Sequence, residues 1–116
     1  MLRMTRGDTP TFHIDIVDFN GDALSIASAY LWFTAKHGYS ETDTDAVFQK
    51  TIGDGITVTD AQLGQVDIVL QSGDTESIID RTNLRYDIQV KDVGGGIYTV
   101  SSGLLVVEPD ITRSVA

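Results

Sequence analysis

From residue 84 to residue 90 the chain reads L-R-Y-D-I-Q-V, and every second residue is apolar. Leu84, Tyr86, Ile88 and Val90 alternate with Arg85, Asp87 and Gln89. Successive side chains of an extended chain point to opposite faces, so strict alternation marks a strand with one dry face. K-D-V-G-G-G follows, a turn signal rich in glycine. A second strand is expected over 97–101, and Gly103 opens a third apolar run. The stretch 84–108 therefore reads as a β-meander against which the upstream strands pack.

Those upstream strands come at short intervals. Phe12, Ile14 and Ile16 alternate with His13, Asp15 and Val17, and Asn20-Gly21-Asp22 then marks a turn. Residues 23–28 suggest a weak edge strand. Residues 30–36 are apolar or aromatic on both faces, as in a strand covered on both sides. Further strands are expected over 46–51, 56–59 and 66–70, with a turn at Gly53-Asp54-Gly55. Thr59 with Gln62 resembles a capping box, but Gly64 leaves room for one helical turn only. Residues 72–80 form the best helix candidate, with Asp74 or Thr75 as N-cap and Glu76 in the first turn.

Seven to nine short strands, turns about every ten residues and one short helix read as a single all-β domain, an immunoglobulin-like antiparallel β-sandwich. The expected domain spans residues 1–116, with 1–8 and 114–116 as peripheral arms. Tyr86 stands two residues before Ile88, the spacing of a corner tyrosine on strand F of such sandwiches. Trp32 is the matching candidate for the tryptophan of strand C.

The chain has no cysteine, so no disulfide or thiolate is expected, which fits folding in a reducing cytoplasm. Eight basic residues stand against seventeen acidic ones, for a net charge of −9. That balance disfavours nucleic acid and anionic membranes. No apolar run is long enough to span a bilayer, and the N-terminus lacks the apolar core of a signal peptide.

Catalytic chemistry finds little support. His13 and His37 have no ligands at metal spacing and read as surface or turn residues. Glu41, Asp43 and Asp45 form an acidic loop, but Phe48 stands where an EF-hand needs glycine. No nucleophile-elbow, zinc-helix or phosphate-loop motif occurs. Arg6-Gly7-Asp8 is a cell-adhesion tripeptide on its face, a match short enough to arise by chance. No catalytic residue, cofactor or metal is expected.

Several segments carry a resemblance. G-D-T-P-T-F-H-I-D-I, F-N-G-D, L-W-F-T-A-K, Y-D-I-Q-V-K-D-V-G-G and S-S-G-L-L-V-V-E-P-D-I-T-R are similar to small structural domains of tailed bacteriophages. The chain resembles the N-terminal domain of baseplate upper proteins and related tail and fibre proteins over residues 7–113. The resemblance implies an immunoglobulin-like sandwich that docks on other virion proteins, without catalysis. In baseplate upper proteins a long receptor-facing portion follows, whereas this sequence stops at Ala116.

The expected docking surface is the run Leu104, Leu105, Val106 and Val107, apolar on both faces where one core can cover only one. Self-association through it is a companion expectation. The alternative is a carbohydrate-binding or adhesin-type module, whose platform would use Tyr30, Trp32, Tyr39 and Tyr98.

Overall fold

The structure is a computed structural model and describes residues 1–18, 20–38 and 46–111. It is all-β. Its strands are β1 (Leu2–Thr5), β2 (Thr11–Asp15), β3 (Tyr30–Lys36), β4 (Phe48–Ile52), β5 (Gly55–Asp60), β6 (Gln65–Val69), β7 (Thr82–Lys91) and β8 (Ile97–Glu108). All eight belong to one hydrogen-bonded sheet, in the order β1-β8-β7-β3-β4-β5-β6-β2.

The sheet curls around a single core. Leu31 and Phe33 of β3, Ile88 and Val90 of β7, and Leu105 and Val107 of β8 share that core with Ile56 of β5 and Val66 and Ile68 of β6. The alternation in 84–90 is obeyed: Leu84, Tyr86, Ile88 and Val90 are all buried. Phe12 and Ile14 of β2 turn inward, while Thr11, His13 and Asp15 are exposed.

The sheet is mixed, which corrects the antiparallel expectation. β1 runs parallel to β8, and β4 meets β5 in parallel over two residue pairs. The second contact is a corner. The Thr51 amide donates to the Asp54 carbonyl and the Gly53 amide to the Ile56 carbonyl, so the chain bends instead of reversing. The first contact joins the start of the chain to its last strand, a pairing that no local pattern announces.

That pairing also corrects the N-terminal arm, because 1–8 is not peripheral. Leu2 pairs with Leu105 and Met4 with Val107, and Met4 is buried in the core. Residues 114–116 lie outside the described residues.

The expected break at Gly103 is absent, since β8 is one strand of twelve residues with an irregularity opposite Ile88/Gln89. Gly103 is there for clearance. A Cβ on it would lie 3.3 Å from the Tyr86 ring, which covers β8 at this point. The helix over 72–80 shrinks to a 3-10 turn, Ser72–Asp74. One turn has too few hydrogen bonds to propagate, and the Asp74 carboxylate accepts the Gln71 amide instead of capping a longer helix. Residues 23–28 contain only an isolated bridge between Val17 and Ala23. The turn at 61–64 closes on the Asp60 carboxylate, which accepts the Leu63 amide.

Candidate functional site

Residues directly opposite one another on neighbouring strands share a face. The register therefore sorts β3, β4, β7 and β8 into two sets. Phe33 and Ile88 point inward, as do Leu31 and Val90. The outward rows are Tyr30–Lys91–Ile97, Thr51–Trp32–Gln89–Thr99, Gln49–Thr34–Asp87–Ser102 and Lys36–Arg85–Leu104.

This outward face holds a cleft of about 620 Å³ whose lining includes Trp32, Gln49, Arg85, Gln89, Ile97 and Thr99. Its floor is fixed by packing and hydrogen bonds. Thr34 is buried and its hydroxyl accepts the Gln49 amide at 3.0 Å. Trp32 is half-buried and stacks on Tyr30, with ring centroids 6.3 Å apart. Tyr30 itself is 66% exposed and Ile97 63%. Rigid aromatic area beside amides, hydroxyls and a guanidinium suits recognition of another molecule by stacking and hydrogen bonding.

The sequence-derived site residues fall in several places. Leu105 and Val107 are core, and Val106 is buried although it points to the other face. Leu104 is half-buried. The run 104–107 is therefore not an open docking face. The β7 and β1 neighbours flank it in the sheet, and the core takes Leu105 and Val107.

Tyr86 is in the core, with its ring 5.3 Å from Phe33. The described residues offer its hydroxyl no hydrogen-bond partner, so the corner tie expected of it is not formed among them. The tryptophan assignment is displaced by one residue. Trp32 lies on the outward face, and Phe33 occupies the core position between Phe48 and Tyr86. Of the four platform aromatics, Trp32 lines the cleft, Tyr30 stacks on Trp32, and Tyr98 is half-exposed on β8. Tyr39 lies outside the described residues.

His13 is exposed on β2 and pairs with Asp67, and His37 is exposed beyond β3. The acidic loop of Glu41, Asp43 and Asp45 lies outside the described residues. Among the described residues no group of three His, Asp or Glu side chains could hold a metal.

Arg6 of the adhesion-like tripeptide is engaged inside the fold. Its guanidinium donates to the Glu76 carbonyl and to the Asp110 carboxylate, and its side chain is 17% exposed.

Of the residues that line the cleft, Trp32 was a platform candidate in the sequence, and the polar ones were visible only as the polar half of each alternation. Gln89 and Arg85 are the solvent-side partners of Ile88 and Tyr86, and nothing local announces that Gln49 and Thr99 join them. No protein-family model matches the chain, and no curated protein matches it.

Proposed function

We propose that the chain is a non-catalytic structural or adaptor domain of a tailed-phage virion, acting by docking on other virion proteins. The observation that carries this reading is the cleft on the outward face of β3, β4, β7 and β8, lined by Trp32, Arg85 and Ile97 among polar side chains. Aromatic residues and arginine are the side chains enriched at the centres of protein interfaces. The similarity of the segments around 7–16, 31–36 and 86–95 to phage structural domains supplies the setting.

The finer fold reading belongs to the same proposal. Order supports an immunoglobulin-like arrangement: β8-β7-β3-β4 correspond to strands G, F, C and C′ of a variable-type domain, and β5-β6-β2 to D, E and B. In this reading one layer would pass into the other at the bend between β4 and β5.

The test is immuno-electron microscopy of purified particles of the encoding phage, with an epitope tag on this chain. Label at one fixed position on the particle supports the reading. Particles that lack the protein, while lysates contain it, would count against it.

A second reading is favoured by the stacked Tyr30–Trp32 pair, whose Trp32 shares its row with the Gln89 amide and the Thr99 hydroxyl. Such a pair is the platform of a saccharide-binding module. A glycan array separates the two readings, since specific signal lost in Trp32→Ala would favour the saccharide.

A further inference from the structure

The two outward surfaces of the curled sheet differ in charge. On β3 and β7 the outward rows carry Lys36, Arg85 and Lys91 against one acid, Asp87. On β2, β5 and β6 the outward rows are His13–Asp67–Thr57 and Asp15–Gln65–Asp60, which hold three acids and neither lysine nor arginine. Both sets of strands send their inward side chains into one core. The basic and acidic rows therefore lie on opposite sides of the molecule.

In a chain of net charge −9, these described rows of β3 and β7 sum to a positive charge. Long-range repulsion keeps such acidic molecules apart. A local match of opposite charges, backed by apolar contact, can overcome that repulsion and orient two copies. The basic face supplies both parts, because Lys91 shares its row with the exposed Tyr30 and Ile97.

We propose that copies of this chain associate head to tail, the basic aromatic face of β3 and β7 on one copy resting on the acidic face of β2, β5 and β6 on the next. The contact is heterologous, since unlike patches meet. A heterologous contact closes into a ring when its rotation divides the circle and otherwise extends as a filament. The inference stands on charge and placement and does not depend on the virion reading. That reading is tested on particles, this one on purified protein.

The experiment is analytical ultracentrifugation over a concentration series, with two charge-reversed variants. Arg85→Glu with Lys91→Glu disables the basic face, and Asp15→Lys with Asp67→Lys disables the acidic one. Circular dichroism checks that each variant folds. Because Asp67 pairs with His13, Thr57→Lys is the substitute should that variant not fold, and Lys91→Glu alone is the substitute for the basic face.

The wild-type chain is expected to sediment as an oligomer and each variant as a monomer. An equimolar mixture of the two variants is expected to associate again, because the untouched acidic face of one meets the untouched basic face of the other. The first variant makes the chain more acidic and the second less so. Loss of association in both is therefore not an effect of net charge. A wild-type chain that stays monomeric would overturn the proposal. So would an acidic-face variant that still associates, or a mixture that fails to pair.

Discussion

The Lys50 ammonium lies 2.9 Å from the Asp74 carboxylate, and the two side chains are only 10% and 16% exposed. Lys50 stands opposite Phe33 on the inward side of β4, and Asp74 closes the 3-10 turn. The pair thus ties the middle of the sheet to the connection between β6 and β7. Removing one partner leaves the other charge largely desolvated, which costs more than the pair itself contributes. Lys50→Ala and Asp74→Ala should each lower stability by about 3 kcal/mol. Lys50→Ala combined with Asp74→Ala should cost less than the two single changes added, as read by a double-mutant cycle in urea.

Arg6 holds three parts of the chain together. Its guanidinium reaches Glu76 and Asp110, its amide donates to the Glu108 carbonyl, and the next amide, Gly7, donates to the Thr75 hydroxyl. Arg6→Ala should destabilise by about 2 kcal/mol, in line with loss of charge-assisted hydrogen bonds. Arg6→Lys should recover only part, since a lysine cannot repeat the fork. Hydrogen exchange should show β1 exchanging faster in both variants, while β3 is unchanged.

Gly64 and Gly73 should respond differently to alanine. Gly64 has φ +68°, and a Cβ there would lie 2.5 Å from the Leu24 carbonyl oxygen and 2.6 Å from that of Ile16. Neither backbone oxygen can retreat easily, because the Ile16 carbonyl accepts the Leu24 amide and the Ile16 amide donates to Gly64. Gly64→Ala should cost about 3 kcal/mol or more. Gly73, with open space around it, should accept alanine within about 0.5 kcal/mol. Thermal denaturation of the two variants side by side checks this.

Asp introduced at Val106 or at Val107 should unfold the domain in either case, because both side chains are buried. Each change should cost more than about 3 kcal/mol. Tyr86→Phe should cost less than about 0.5 kcal/mol, since it removes no hydrogen bond among the described residues. Chemical denaturation measures all three. A stable, folded Val106→Asp protein would return that side chain to the surface.

Much of the fold was legible where one face of a strand is wet. Leu84, Tyr86, Ile88 and Val90 announce β7 because their neighbours are charged or polar, and Val66 and Ile68 do the same for β6. Residues 30–36 hid their orientation, since both faces are apolar or aromatic, and the core position fell to Phe33 instead of Trp32. β1 was missed for a different reason. Four residues with Arg3 and Thr5 among them carry no period, and their partner lies more than a hundred positions away. Of the cleft, the sequence offered Trp32 as a platform aromatic and the rest as a set of polar positions. Which of them meet depends on register, and register is fixed by the corner at Gly53-Asp54 and by the irregularity in β8.

The pairing of β1 with β8 also sets how the molecule bears tension. Leu2 lies beside Leu105 and Thr5 beside Glu108, so the chain enters this pair at one end and leaves it at the other. A pull that separates Met1 from Asp110 slides the two strands past each other instead of peeling them apart. All the rungs of that ladder are then strained at once, and the Arg6 bonds to Glu76 and Asp110 with them. Pulled by its two ends, the domain meets the force as a lap joint rather than as a zip.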